Sequence, residues 1–121
     1  ITMNVCPDGE IAQFFKSGEF KLCPIIFSHG MKGSRCMYST ICQEMASHGY
    51  IVFALDHHDG SCPYTENKQG NQSWKFDVDA PKFSYDDLNT KLNIRAQEVS
   101  YLIDDITTDV FCKKALKIEG I

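Results

Sequence analysis

The sequence predicts an α/β fold in which two parallel strands are joined by a helix, and three consecutive segments carry this prediction. Residues 23–28 form an apolar run without alternation, residues 36–48 have apolar side chains at helical spacing, and residues 50–56 are β-branched and aromatic. A strand, a loop, a helix and a second strand within about 35 residues make a βαβ unit, with parallel strands and a right-handed crossover. The predicted fold class is therefore α/β: one parallel βαβ unit, a further helix, and a sheet that is incomplete within this chain.

The two strands are predicted from the character of their apolar runs. An uninterrupted apolar run such as residues 23–28 is typical of a strand buried on both faces of a parallel sheet. Gly30 and Gly33 follow this run and indicate a sharp loop. The β-branched and aromatic residues at 50–56 predict a second buried strand.

The helix between the strands is predicted from an amphipathic stripe. Apolar residues recur at i, i+1, i+4, i+5, i+8 and i+9, which places them on one helical face. Ser34 is placed to cap the first turn, and Gly49 stands where a left-handed residue ends a helix. The stripe consists of Met37, Tyr38, Ile41, Cys42, Met45 and Ala46.

The second half of the chain predicts a long loop and then another helix. After Asp56 the sequence is polar and without periodicity to about Lys82, which is typical of a functional or disordered loop. The helix starts near Ser84, where Ser84 and Asp87 form a capping box with Asp in place of Glu. Its apolar stripe is Leu88, Leu92, Val99, Leu102, Ile103 and Ile106.

Composition excludes several classes of protein. The 121 residues include 12 basic and 16 acidic side chains, for a net charge of −4, and no Lys/Arg-rich block. Neither a nucleic-acid partner nor a polybasic membrane-binding patch is therefore predicted. The longest apolar stretches are far shorter than the ~20 residues of a transmembrane helix.

The cysteine pattern bears on metal binding and on compartment. The chain has six cysteines and no C-x-x-C pair, which argues against a zinc ribbon or a thioredoxin-type motif. Reduced thiols in a cytoplasmic compartment are favoured over secretion, although an even number of cysteines leaves disulfides open.

The predicted strands do not complete a sheet. Each buried strand of a doubly wound sheet needs a neighbour on both edges, and here at most one is supplied. The missing strands come either from another polypeptide or from the rest of a longer chain. We expect the second, because the chain opens on Ile1 rather than Met and both of its ends look cut.

The strongest local signal for chemistry is the loop at residues 27–33, which follows the first predicted strand. Ligand sites of open α/β sheets gather at the carboxyl ends of the strands. Glycines there let backbone N–H groups turn inward, and one well-placed donor to a developing oxyanion is worth about 3–4 kcal/mol. The spacing alone leaves open a tight strand-to-helix turn that binds nothing.

Several segments together resemble the platelet-activating-factor acetylhydrolase family. The resemblance runs from about Pro24 to Ile106, and residues 1–22 are not covered. It is carried by Phe27-Ser28-His29-Gly30, Tyr38-Ser39, Ala46-Ser47-His48-Gly49-Tyr50-Ile51-Val52, Asp56-His57-His58-Asp59-Gly60-Ser61, Ser73-Trp74 and Arg95-Ala96-Gln97-Glu98.

This resemblance implies an α/β-hydrolase that removes short or oxidised sn-2 acyl chains from phospholipids without calcium. In that fold one oxyanion-hole N–H comes from the loop after the third strand, and Met31 would supply it through its backbone. His29 and Gly30 would shape the loop, and His57 and Asp59 are candidates for supporting positions behind it. The resemblance also divides the chain into an N-terminal extension or loop at 1–22 and the N-terminal half of a hydrolase domain at 23–121.

The departures from the family pattern bear on activity. No G-x-S-x-G string occurs in the 121 residues, and the acid and base of the triad follow that serine in chain order. His58 and Gly60 stand where the family commonly has arginines. The chain alone is therefore expected to be inactive, with a phospholipid substrate only when a C-terminal half or a protein partner completes the sheet. The alternative is a non-catalytic structural or interaction subunit of a larger assembly.

Two other kinds of site are weaker expectations. Ser28, with a histidine and an aspartate from the two loops, has the residue types of a triad, but it lacks the strained elbow that exposes a nucleophile. His57, His58 and Asp59, with His29 near, have the residue types of a metal site. A hydrogen-bonded loop is the more common use of such residues, so neither a metal nor any cofactor is predicted.

Overall fold

The computed structural model describes residues 9–17, 22–66, 72–74, 84–111 and 113–114. Within them the elements are α1 (Gln13–Lys16), β1 (Cys23–Phe27), a 3₁₀ helix (Arg35–Tyr38), α2 (Ser39–Ser47), β2 (Tyr50–Ala54), β3 (Tyr64–Glu66), β4 (Gln72–Trp74), α3 (Tyr85–Ile106) and α4 (Asp109–Phe111). The predicted extension at 1–22 lies partly outside the described residues, and its division from 23–121 stays a prediction.

Strands β1 and β2 pair in parallel, which confirms the predicted βαβ unit. The register runs from Cys23 opposite Tyr50 to Phe27 opposite Ala54. One further bond extends it, since the Leu55 N–H donates to the Phe27 carbonyl at 3.2 Å. Because the strands are parallel, both of their carboxyl ends lie at the same edge of this small α/β structure.

The helix between the strands begins differently from the prediction. Ser34 makes no side-chain capping bond, so the predicted cap is wrong, and the first turn is 3₁₀ with the Met37 N–H donating to the Ser34 carbonyl. The carboxylate of Asp56, at the end of the second strand, instead accepts from the Arg35 N–H at 2.7 Å. At the other end Gly49 has a φ of 91°, the predicted left-handed stop.

Helix α3 begins as predicted, with a capping box. The Ser84 hydroxyl oxygen accepts from the Asp87 N–H, and the Asp87 carboxylate accepts from the Ser84 N–H, both at 3.1 Å. These side-chain and backbone hydrogen bonds lower the pKa of the Asp87 carboxyl.

The segment predicted as an irregular loop contains a short hairpin. Strands β3 and β4 pair antiparallel, with Tyr64 opposite Trp74 and Glu66 opposite Gln72. Three-residue strands are too short for a period-2 pattern to be recognised in sequence, which is why the hairpin was not predicted.

The strands are less buried within this chain than the sequence predicts. Among the described residues β1 and β2 pair only with each other, and their side chains are half-buried or exposed. The apolar stripe of α3 is also largely open, with Leu92 60% exposed and only Ile106 buried. A parallel sheet is buried on both faces only where helices cover both faces. The half-buried and exposed side chains of β1 and β2 show that the described residues do not supply this cover.

Two further findings complete the fold. Leu22 is the centre of a small apolar cluster with Ile11, Phe15 and Ile51. No helix in the described part of the chain is both long enough and apolar enough to cross a bilayer.

Candidate functional site

The candidate site is formed by the two loops that follow β1 and β2 at their shared carboxyl edge. Two backbone donors join these loops directly. The His57 N–H donates to Nε2 of His29 at 3.1 Å, and the Lys32 N–H donates to the Ser61 carbonyl at 3.0 Å. The fold therefore brings together the predicted site residues from both loops.

His29 lies at the centre of this contact, and its surroundings fix the tautomer of its ring. It is 1% exposed, and its Nε2 accepts the backbone proton of His57. The ring proton therefore sits on Nδ1, which donates to the Gly30 carbonyl at 2.8 Å. The His29 ring therefore connects the start of the first loop to the second loop, and its supporting role at an oxyanion site stays a prediction.

The turn at residues 30–33 is closely packed. The Gly33 N–H donates to the Gly30 carbonyl at 3.0 Å. A Cβ at Gly33 would lie 3.0 Å from that same carbonyl oxygen and 3.2 Å from Tyr38, so glycine is required by close approach. Lys32 is in the left-handed region, with a φ of 63°.

Met31 occupies the middle of this turn and is 41% exposed. Among the described residues neither its backbone N–H nor that of Gly30 has a hydrogen-bond acceptor. Backbone N–H groups without an acceptor inside the protein are suited to bind an anionic oxygen. The assignment of Met31 as an oxyanion donor stays a prediction.

A second set of contacts runs from Ser28 to helix α3. Nε2 of His57 lies 2.7 Å from the Ser28 hydroxyl, and Nδ1 lies 2.6 Å from a carboxylate oxygen of Glu98. The other Glu98 oxygen accepts from the His58 N–H at 3.0 Å. Hydroxyl, imidazole and carboxylate are thus connected in the order found at serine nucleophiles.

Two features favour a structural role for this set. His57 is fully buried, whereas the base of a serine hydrolase must also pass a proton to the leaving group. Among the described non-glycine residues only Lys32 has a positive φ, so Ser28 lacks that mark of a strained turn. The set ties β1, the second loop and α3 together.

Asp59 and Arg95 form a buried ion pair beside the turn. The side chain of Asp59 is completely buried, and one of its oxygens accepts from Nε of Arg95 at 2.6 Å. The other oxygen accepts from the N–H and hydroxyl of Ser61. Burial alone would raise the pKa of Asp59, but the hydrogen bonds from Ser61 and Arg95 outweigh it and the pKa is lowered.

Arg95 also contacts the first loop. Its Nη1 donates to the His29 carbonyl at 2.8 Å, and its Nη2 donates to the Ser61 hydroxyl. Lys91, one turn earlier on α3, donates to the Asp59 carbonyl. Helix α3 therefore supports both loops from one face.

Sequence reasoning gave no role to Arg95 or Glu98. A signal was available, because Lys91, Arg95 and Glu98 follow an i, i+4, i+7 pattern and therefore share one face of a predicted helix. Their partners are 32 or more residues away in sequence, so the pattern could not name them.

One group of potential metal ligands lies in the described part of the chain. Ligand atoms of His29, Asp56 and Cys62 lie within 4.8 Å of one another. Each is already bonded within the protein: Asp56 pairs with Nε of Arg35 at 3.1 Å, and the Cys62 thiol lies 2.9 Å from the Tyr64 carbonyl. Burial raises the pKa of the Cys62 thiol, which favours the protonated form. This arrangement does not fit a metal site.

Several known proteins are similar to part of this chain. The chain is 42% identical over 59 residues to "Platelet-activating factor acetylhydrolase" of Canis lupus familiaris and 47% identical over 66 residues to the protein of that name from Cavia porcellus. It is 51% identical over 41 residues to "Putative phospholipase A2" of Schizosaccharomyces pombe.

The matched segments are short compared with this chain and with the relatives. They cover 43%, 49% and 34% of this chain and only 13%, 15% and 9% of the respective relatives. No solved structure matches the chain. The family described as "Platelet-activating factor acetylhydrolase, isoform II" matches residues 3–117, which is nearly the whole sequence. The expectation that the resemblance leaves residues 1–22 uncovered is therefore wrong for residues 3–22. The chain therefore belongs to the platelet-activating factor acetylhydrolase, isoform II, family.

Proposed function

We propose that residues 23–121 are the N-terminal half of an α/β-hydrolase domain, part of a lipid esterase that cleaves the sn-2 acyl ester of phospholipids. The chain supplies the oxyanion-hole turn and no nucleophile. The observation that carries this proposal is the glycine-bounded turn at the carboxyl edge of the parallel pair, where the Met31 amide has no acceptor among the described residues. Family membership supports the reaction type.

The proposed chemistry assigns a limited task to this chain. A serine oxygen attacks the carbonyl carbon of the sn-2 ester, and negative charge develops on the carbonyl oxygen. The Met31 N–H stabilises that charge, the lysophospholipid alcohol leaves with a proton, and water then hydrolyses the acyl-enzyme. No G-x-S-x-G string occurs in the 121 residues, and the proposal therefore places the nucleophile on a segment outside this sequence.

The open strands support a sheet that continues outside this chain. In the described residues the outer edge of each of β1 and β2 is unpaired, and the apolar side chains of both strands are only half-buried. Parallel sheets of this class are normally covered on both faces. We propose that the rest of the domain supplies the missing strands, with residues 1–22 as an N-terminal extension.

A second candidate is a non-catalytic structural or interaction subunit derived from the hydrolase. The same open strands favour it, because a partner protein would cover them equally well. The two candidates differ in the natural protein: the esterase predicts an intact mass well above 13.7 kDa and a G-x-S-x-G elbow. The subunit predicts a mass near that value in a stable complex.

The cysteines support a proposed cytoplasmic rather than secreted location. Four of them lie in the described residues and all four are free thiols: Cys23, Cys36, Cys42 and Cys62. Mass spectrometry after rapid alkylation of the natural protein tests this, since disulfides in the natural protein would contradict it.

The test of the esterase is a pair of substitutions at Met31 in the natural full-length protein. Met31→Pro removes the backbone donor, and Met31→Leu keeps it while changing the side chain. We expect Met31→Pro to lower kcat for a short-chain sn-2 phospholipid by about 10²–10³-fold, and Met31→Leu to keep kcat. Hydrolysis is measured with EDTA present, and folding of both variants is checked by circular dichroism. A folded Met31→Pro variant with an unchanged kcat would contradict the assignment.

A further inference from the structure

We propose that Arg95 and Glu98 of α3 are positioning residues, which hold the Gly30 and Met31 N–H groups in the orientation that an oxyanion needs. The two residues are three apart and therefore share one helical face. This inference rests on the proposed function for its catalytic consequence. Its geometric part rests on hydrogen bonds that reach the turn by two separate routes.

The first route runs from Arg95 to the Gly30 amide. A peptide unit is planar, and in its trans form the C=O and N–H point in opposite directions. The His29 carbonyl and the Gly30 N–H belong to one such unit. Because Nη1 of Arg95 binds the His29 carbonyl at 2.8 Å, the Gly30 N–H must point away from α3.

The second route runs from Glu98 to the Met31 amide. Glu98 binds Nδ1 of the His57 ring at 2.6 Å, and the His57 backbone N–H donates to Nε2 of His29. Nδ1 of His29 then donates to the Gly30 carbonyl at 2.8 Å. That carbonyl shares its peptide unit with the Met31 N–H, so its direction sets the direction of the Met31 donor.

The charged groups at the start of both routes are themselves fixed. Arg95 is held by the fully buried carboxylate of Asp59, and its side chain is only 13% exposed. Glu98 is 24% exposed and accepts from the His58 N–H as well as from His57. Partly buried ions with several partners have little freedom to move. The Gly30 and Met31 N–H groups, which these ions hold through the hydrogen bonds described above, are therefore kept in a single orientation.

The experiment uses the natural full-length protein with two conservative variants. Arg95→Lys keeps a positive charge beside Asp59 but loses the planar fork that reaches both Asp59 and the His29 carbonyl. Glu98→Gln leaves only one acceptor oxygen for two donors, Nδ1 of His57 and the His58 N–H. Gln97→Ala, at an exposed position of the same helix, is the matched control.

Two measurements separate positioning from general stability. The first is kcat for a short-chain phospholipid per active site, with sites titrated by a fluorophosphonate so that unfolded molecules are not counted. We expect kcat to fall about 10–100-fold in both variants, with KM changed less than about threefold. The second is hydrogen exchange of the Gly33 and His57 amides, whose bonds belong to the two loops. We expect faster exchange in both variants, and no change in Gln97→Ala.

The outcomes distinguish this inference from the proposed function. If the wild type neither hydrolyses the lipid nor takes the label, the proposed function fails, and the exchange rates alone still decide the geometric part. If the wild type is active and kcat per titrated site is unchanged in both variants, the positioning role is overturned. Loss of labelling in Ser28→Ala would also overturn it, since Ser28 would then be the nucleophile.

Discussion

Removal of the Arg95 guanidinium is expected to destabilise the protein strongly. The change Arg95→Met keeps the length of the side chain and removes its charge. The carboxylate of Asp59, which is 0% exposed, then has no ionic partner, and the His29 carbonyl loses its bond of 2.8 Å. Leaving one member of a buried pair uncompensated costs about 3–5 kcal/mol, which sets the expected loss in the free energy of unfolding.

A surface ion pair in the same chain provides the control. Arg35 binds Asp56 at 3.1 Å, but the Arg35 side chain is 59% exposed, and the Arg35 backbone N–H keeps its own bond to that carboxylate. Arg35→Met should therefore cost less than about 1 kcal/mol. Urea unfolding followed by circular dichroism at pH 7 measures both variants.

A double-mutant cycle makes the reasoning refutable. Asp59→Asn combined with Arg95→Met should cost about 1–3 kcal/mol less than the sum of the two single changes, because the second change removes the charge left unpaired by the first. Equal costs for Arg95→Met and Arg35→Met, or a cycle that is additive within error, would show that the buried pair is not what holds the two loops.

Three further predictions concern single residues. The pKa of Asp59 is lowered on folding, so its ionised form stabilises the folded protein above about pH 4, and this stability is lost as the pH falls below the unfolded pKa. The urea concentration at the unfolding midpoint, measured between about pH 5 and 2, should therefore decrease less steeply with falling pH in Asp59→Asn than in the wild type. Equal slopes would contradict this. Cys36 is exposed, whereas Cys62 is 2% exposed with a raised pKa, so Ellman's reagent should modify Cys36 in the native protein and Cys62 only after unfolding; native modification of both, mapped by peptide mass, would be inconsistent with the fold. Gly33→Ala would bring a Cβ within 3.0 Å of the Gly30 carbonyl and should cost about 1–3 kcal/mol in unfolding measurements, so an unchanged midpoint would mean that the turn is looser than described.

The parts of the fold that the sequence predicts are those specified by neighbouring residues. The two strands and the helix between them follow from contiguous apolar patterns, and the capping box at Ser84 is contained in four consecutive residues. The left-handed stop at Gly49 follows from one residue. Each of these signals is complete within a single helix, turn or strand.

The parts that were not predicted depend on distant partners. The first turn after Ser34 is capped by Asp56, 21 residues from the amide that it binds. Burial of the strands was inferred from their composition, but burial depends on neighbours that the described residues do not include. For this reason the apolar runs predicted the two strands correctly but predicted their burial incorrectly.

The candidate site divides in the same way. The turn around Gly30 and Gly33 was predicted because glycine spacing after a strand is a local signal. The residues that hold it, Arg95 and Glu98, reach it from a helix that begins at Tyr85. The apolar stripe predicted that helix and the resemblance included Arg95 and Glu98, but neither signal assigned a contact.

The long sequence separation between the turn and helix α3 has a consequence for how the protein folds during synthesis. The bond from Arg95 to the His29 carbonyl joins residues 66 positions apart, whereas Cys23 and Tyr50 pair across 27. Contacts that close longer segments of chain form at a greater entropic cost, so the strand pair can assemble while α3 is still inside the ribosome. A nascent chain that has emerged only as far as the second strand would already carry the turn, but its amides would acquire their final direction only when the helix docks.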